Sequence, residues 1–289
     1  MSQAEKLRQL LAGPEILVLP GCFDAMSARL IERAGYPGAF MGGFAVSASR
    51  IAMPDTGLIS YSEMVDQGRN ICAAVDFPVI GDGDTGYGNA VNVQRTVRGY
   101  AQAGFACVMI EDQVAPKKCG HTEGKQIVGR DEAFGRVRAA VDARESMRNG
   151  SADILIMART DANATDGMDE AIERAKTFAE IGADITFLEA PKNEDEMRQY
   201  CDAFPGPKMA NLVEQGDTPF LAPERLQEIG YKVVIYPISL MLAGLRAMEE
   251  SLKAMRAGKH PDQLAEFAHL RDVVGFPDYY EKEKKYAAD

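Results

Sequence analysis

The chain has 289 residues, 46% of them hydrophobic, which is enough to bury one large core, and it carries a formal net charge of −11 with a pI near 4.9. That acidic balance argues against nucleic acid or an anionic membrane surface as partner, so an anionic substrate has to be met by a local site. No apolar run reaches membrane-spanning length, and the opening MSQAEKLRQLLAG reads as a polar helix rather than a signal peptide, which predicts a cytoplasmic protein.

Taken in order, short apolar β-rich runs alternate with helix-period segments, the pattern of repeated β-then-α units on a parallel sheet. The predicted strands are residues 16–21, 38–43, 78–84, 107–112, 153–160, 185–190, 208–212 and 232–237. Between them lie helical patterns such as DAMSARLIERAG, VNVQRTVRGYAQAG, DEAIERAKTFAEIG and APERLQEIG, several ending on a glycine suited to a left-handed cap: Gly35, Gly104, Gly182 and Gly230. Ser60 and Glu63 have the spacing of a capping box. Eight such units predict an α/β fold, a (β/α)8 TIM barrel forming a single domain over 1–289; a doubly wound open sheet is the alternative, because strand count does not show closure. After the eighth strand, residues from about 240 to 289 exceed one closing helix and are expected to form a C-terminal helical extension. This extension packs either on the same barrel or on a neighbouring subunit. The five cysteines, Cys22, Cys72, Cys107, Cys119 and Cys201, form no C-x-x-C pair, so neither a disulfide framework nor a zinc ribbon is expected. Cys72 and Cys107 read as small core residues.

In barrels the chemistry sits at the carboxyl ends of the strands. Polar residues and glycines end almost every predicted strand here: Gly42 and Gly43, Asp82 and Asp84, Glu111 and Asp112, Arg159 with Thr160 and Asp161, Glu189, and Asn211. Helix capping is the plain structural reading for Asp112, Thr160 or Asp161 taken singly, but it does not absorb the whole set. In GDGDTGYG two carboxylates flanked by glycines offer oxygen ligands and room for a hydrated hard cation, which suits Mg²⁺ at Asp82 and Asp84 with Glu111 as a further or outer partner; an Asp-rich turn without metal is the alternative. APKKCGHTEGKQ places the Cys119 thiol between Lys117–Lys118 and His121 with glycines nearby. Such a loop can close over a substrate, and its positive neighbours favour thiolate, although a basic surface loop with an incidental cysteine has the same composition. His260 and His269 have no partner pattern and read as surface or structural residues.

The stretches PGCFDAMSARLIERAG, AVSASRIAMPDTGL, GDGDTGYGNAVNVQRTV, IEDQVAPKKCGH, MARTDA, FLEAP and NLVEQGDTP together resemble the isocitrate lyase and phosphoenolpyruvate mutase superfamily along nearly the whole chain. KKCGH resembles the lyase branch, since the mutases and phosphonopyruvate hydrolases lack that cysteine. The resemblance is nearest to 2-methylisocitrate lyases, 2,3-dimethylmalate lyases and the broad 2-alkylmalate lyases of the petal death protein type. It implies Mg²⁺, with Mn²⁺ as a substitute, on Asp84 and, through water, Asp82, with Glu111 in the outer shell. Backbone amides around Gly42 and Gly43 and the side chain of Arg159 would grip a carboxylate, and Asp55 would position or help deprotonate the substrate hydroxyl. Lys117, Cys119, Gly120 and His121 would sit on a gating loop, with Glu189 and Asn211 completing the pocket. The implied reaction is a retro-aldol-type cleavage of a small dicarboxylate to pyruvate, with Cys119 as general acid. The implied assembly is a homotetramer with C-terminal helices exchanged between subunits.

The sequence departs from the family pattern at Gly42, where a serine is common, at Phe44 in place of Tyr or Trp, and at Val213, where methylisocitrate lyases carry threonine. Each loss of a hydroxyl removes a hydrogen bond of roughly 1 kcal/mol, and the Val213 change favours an alkyl-substituted dicarboxylate over a tricarboxylate. Pro237 stands where oxaloacetate-hydrolysing relatives tend to carry serine. A 2-alkylmalate lyase is therefore expected first, then a 2-methylisocitrate lyase, then an oxaloacetate decarboxylase or hydrolase. A non-catalytic binding barrel is the reading from a different class.

Overall fold

The computed structural model describes residues 1–120, 124–147 and 152–287. Eight strands close into a parallel barrel in sequence order: β1 (Leu17–Cys22), β2 (Ala39–Met41), β3 (Val79–Asp82), β4 (Cys107–Glu111), β5 (Leu155–Thr160), β6 (Ile185–Leu188), β7 (Lys208–Asn211) and β8 (Val233–Tyr236). The β1–β8 seam pairs Leu17 with Val233 and Leu19 with Ile235, which excludes the open sheet. All strands but β1, which keeps its length and shifts by one residue, are shorter than the apolar runs predict. β3 stops at Asp82 because Asp84 turns into the left-handed region (φ 48°), and β6 stops at Leu188 because Ala190 does the same (φ 53°). Both turns lift carboxylates off the sheet, though the Glu189 amide still reaches the Thr160 carbonyl at 3.1 Å.

Strand residues alternate between two environments, as a period of two requires. Leu19, Phe40, Ile80, Met109, Met157, Phe187, Met209 and Ile235 fill the interior, joined from the amino-terminal end by Ala4 and Leu7 of helix Gln3–Ala12. Val79, Val108, Ile110 and Ile156 face outward beneath the surrounding helices, where Val93, Val97 and Tyr100 of helix Ala90–Ala103 meet them. The expected capping box at Ser60 and Glu63 forms, with the Ser60 amide donating to Glu63 at 2.8 Å, and Gly104, Gly182 and Gly230 are left-handed C-caps. Gly21 has a different necessity. A Cβ there would stand 2.1 Å from the Pro237 carbonyl oxygen, so only glycine lets the chain leaving β8 cross directly over β1.

Residues Met1–Ser239 form one compact unit and Leu240–Asp289 a second. The second contains helices Phe267–Val273 and Phe276–Tyr286 and all but the first residue of helix Ser239–Arg256. That long helix buries no side chain and exposes Leu245, Met248, Leu252 and Met255 along one stripe. Among the described residues no helix is long and apolar enough to cross a membrane, and no disulfide forms.

Candidate active site

A cavity of about 370 Å³ opens at the carboxyl ends of the strands. Its wall brings together Gly42, Gly43, Phe44, Asp55, Asp82, Lys117, Cys119, Gly120, Arg159, Glu189, Asn211 and Pro237 from eight separate stretches of chain. Asp84 and Glu111 lie just behind them and are buried. His121 lies outside the described residues. The remaining lining has Phe40, Met109, Phe187 and Ile235 as an apolar floor, joined by Val213 and Ile238 and by the polar run of residues 214–217.

The acidic side of the cavity is organised by backbone donors. Asp82 accepts from the Gly43 amide at 2.9 Å and from the Asp84 amide at 3.0 Å, while Tyr100 donates to the Asp82 carbonyl at 2.6 Å. The Gly43 amide, implied by the resemblance to hold substrate, is thus directed at Asp82. Gly42 caps helix Gly43–Ile51 without a side-chain hydrogen bond, where a serine would have supplied a hydroxyl. Lys117 places its ammonium 2.7 Å from both Asp55 and Asp84, and these contacts are charge pairings rather than well-directed hydrogen bonds. Burial pushes the Asp84 carboxyl up to about 6, with Lys117 opposing and the neighbouring carboxylates reinforcing the rise. Burial disfavours the Lys117 cation, but Asp84, Asp82, Glu111 and Asp55 together outweigh it and keep the lysine charged.

On the opposite side Arg159 is fixed before any substrate arrives. It donates to both oxygens of Asp161, at 2.8 and 3.0 Å, pairs with Glu189 at 3.0 Å and approaches Glu111 at 3.4 Å. The Ala190 amide and the Asn211 amide group donate to Glu189 at 3.0 and 3.3 Å. Glu111 is pushed well up by burial, and its Oε1 has no hydrogen-bond partner among the described residues.

Among the described residues, Asp55, Asp84, Glu111, Asp161 and Glu189 pair with Lys117, Lys125 and Arg159, and Asp82 adds its charge to the field at Lys117. This excess of buried hard-oxygen charge and the orphaned Glu111 oxygen fit a divalent cation. Among the described residues no group of three or more His, Cys, Asp or Glu side chains is arranged to hold a metal ion.

A supporting network absent from the sequence reading lies behind Arg159. Asp161 precedes a short helix but makes no capping hydrogen bond, and its carboxylate serves Arg159 and Lys125 instead. Asp112 accepts from Thr160 Oγ1 at 2.7 Å, the Asp161 amide at 3.0 Å and Arg174 at 3.1 Å. Arg174 and Arg130 both bind Glu170, and these hydrogen bonds, that of Arg130 foremost, pull the Glu170 carboxyl down to about 2. Only the Glu170–Arg174 spacing of four residues on one helix was visible as a signal for this network. A carboxyl held low stabilises the fold above its unfolded pKa and loses that contribution as pH falls through the folded value. Glu170→Gln is therefore expected to lower the urea midpoint at neutral pH, with the gap to the parent closing between roughly pH 4.5 and pH 2. A gap constant across that range would assign the effect to packing.

The sequence profile of the phosphoenolpyruvate phosphomutase family matches residues 7–256. The chain belongs to this family, within the phosphoenolpyruvate mutase and isocitrate lyase superfamily. It is 43% identical to the 2,3-dimethylmalate lyase of Eubacterium barkeri, covering 99% of both chains. It is 40% identical to a 2-methylisocitrate lyase of Aeropyrum pernix, covering 96% of this chain and 89% of that one. Among solved structures, that of an oxaloacetate acetylhydrolase bound to 3,3-difluorooxalacetate superposes with a TM-score of 0.95 at 33% identity, covering 100% of this chain and 98% of that one. Membership in the superfamily bears out the resemblance drawn from the motifs.

Proposed function

We propose that this carbon–carbon lyase cleaves a 2-alkylmalate-type dicarboxylate, 2,3-dimethylmalate being the model substrate, to a 2-oxo acid, which is pyruvate for a 2-methyl substrate, and a carboxylate with the help of Mg²⁺. The observation that carries the reading is the charge of the cavity wall. Among the described residues its cationic side chains are Lys117 and Arg159, and the lining also offers Val213, Pro237 and Ile238 beside the acidic Glu214 and Asp217. A third substrate carboxylate would meet Glu214 and Asp217 beside these apolar residues, whereas an alkyl group would meet apolar surface. The 43% identity to a 2,3-dimethylmalate lyase supports the same choice.

Asp82 and Asp84, with Glu111 behind them, would hold Mg²⁺, which supplies electrophilic stabilisation to the substrate oxygen that loses its proton. Arg159, locked by Asp161 and Glu189, orients one substrate carboxylate without reorganising. Asp55, whose carboxylate borders the cavity beside Lys117, receives the proton of the 2-hydroxyl. The bond between the carbinol carbon and its neighbour then breaks, the carbinol side leaving as pyruvate and the electron pair passing to the other fragment as an enediolate. Cys119 delivers a proton to that carbon and completes the carboxylate product. The enediolate is very basic, so exclusion of bulk water by the loop that carries Cys119 prevents uncontrolled protonation.

The same proposal places the enzyme in the cytoplasm as a homotetramer with exchanged C-terminal helices. It is supported by the apolar stripe on helix Ser239–Arg256. A monomer in analytical sedimentation would remove the assembly part.

The test is 2-oxo acid release from 2,3-dimethylmalate, simple 2-alkylmalates, 2-methylisocitrate and oxaloacetate, with and without Mg²⁺, pyruvate being followed by coupling to lactate dehydrogenase and longer 2-oxo acids by chromatography. Preference for an alkylmalate supports the reading. Preference for 2-methylisocitrate keeps the chemistry and overturns the argument from Val213. Pyruvate from oxaloacetate alone makes the enzyme a decarboxylase, and consumption of oxaloacetate to oxalate and acetate without pyruvate makes it a hydrolase, the reading favoured by the oxaloacetate acetylhydrolase likeness.

A further inference from the structure

The segment that carries Cys119 is tied down at its base. The two stems pair as an antiparallel bridge, Gln113 with Ile127, reinforced by the Val114 amide on the Gln126 carbonyl and the Val128 amide on the Asp112 carbonyl, both at 2.9 Å. The Gln113 side chain donates to the Lys118 carbonyl and accepts from the Lys118 amide, both at 3.0 Å. These bonds fix the base of the segment, and the Cys119–Gly120 turn faces the cavity. Lys117 attaches that turn on the Asp55 and Asp84 side. On the Arg159 side the attachment is Lys125, whose ammonium donates to the Gly120 carbonyl and lies 3.4 Å from Asp161, with its side chain only 6% exposed.

Gly120 shows how tightly that turn is seated. A Cβ there would stand 2.5 Å from both Arg159 Nη2 and Glu189 Oε2, so the backbone lies directly on the groups that orient the substrate carboxylate. Asp161 is the shared anchor, fixing Arg159 through two hydrogen bonds and the Gly120 carbonyl through Lys125.

We propose that Lys125 is a positioning residue for the lyase reaction: it bridges the Gly120 carbonyl to Asp161 and so holds Cys119 in register with Arg159 while carbon is protonated. The role of Cys119 rests on the function proposed above; the bridge itself rests on geometry. Lys125 touches no reacting atom. Its removal leaves the metal-side carboxylates and Arg159 in place, and it releases one side of the turn.

The test uses the full-length enzyme with Lys125→Met and Lys125→Arg. Misplacing a proton donor by about an ångström costs on the order of a hundredfold in rate, so Lys125→Met is expected to lower kcat about 10- to 100-fold with KM changed only about twofold. Lys125→Arg, which keeps the charge and the reach, is expected to restore most of kcat. A second readout does not depend on turnover. The rate of iodoacetamide labelling at Cys119, followed by peptide mass spectrometry with Cys72 and Cys201 as internal references, is expected to rise several-fold in Lys125→Met and to return towards the parent rate in Lys125→Arg. Faster labelling without measurable lyase activity in any variant or in the parent would uphold the bridge and overturn the assigned reaction. Unchanged labelling and unchanged kcat in Lys125→Met would overturn the bridge. If the Met variant does not fold, Lys125→Gln takes its place with the same two readouts.

Discussion

Cys119→Ser is expected to lose about 100- to 10,000-fold in kcat while substrate affinity changes little, because a serine hydroxyl is a far weaker acid than a thiol at the point where carbon is protonated. Cys119 borders the cavity, but Arg159, proposed to orient a substrate carboxylate, and the acidic cluster around Asp84 are held by contacts with Asp161 and Lys117. Binding and turnover should therefore separate. The check is a kcat measurement in the pyruvate assay beside a calorimetric titration with a non-cleavable dicarboxylate. Near-parental turnover would remove Cys119 from the proton-delivery role, and a parallel collapse of affinity would make it a structural part of the pocket.

Arg159→Met is expected to damage both stability and catalysis. Three buried carboxylates, Asp161, Glu189 and Glu111, surround the guanidinium, and removing one partner of a buried ionic cluster costs on the order of 3–5 kcal/mol because the charges left behind are uncompensated. A fall in the urea midpoint together with loss of saturable turnover is the expected result. Arg159→Lys separates the two effects. It restores positive charge but not the two-pronged geometry on Asp161, so stability should recover more than kcat/KM. Equal recovery of both would show that charge alone suffices at this position.

The periodic parts of the molecule were open to sequence reasoning and the converging parts much less so. Eight apolar runs predict eight strands because each run is a buried strand of the barrel, and Gly104, Gly182 and Gly230 end helices because they adopt a conformation costly for other residues. The polar strand ends Asp82, Glu111, Arg159 and Asn211 stand at or beside the cavity because a parallel barrel gathers all its carboxyl ends on one face. Asp161 was legible only as a possible helix cap, since its service to Arg159 and Lys125 depends on where a distant segment folds back. Lys125 is one lysine among many in sequence, and only the pairing of residues 113 and 127 carries it to the Gly120 carbonyl. The Gly43 amide was matched to a substrate carboxylate by resemblance, whereas the fold directs it to Asp82 across 39 positions of chain.

The crossing of the Pro237 carbonyl over Gly21 makes one wall of the pocket depend on the last strand to be synthesised. A nascent chain that has folded only through β7 already displays Asp82, Glu111 and Arg159 but lacks Pro237 and Ile238, and it carries an unsealed edge where β8 belongs. Joining β8 to β1 brings Leu17 to Val233, a separation of more than 200 positions that makes this the entropically costly step of assembly. Completion of the barrel and completion of the binding site are thus one event.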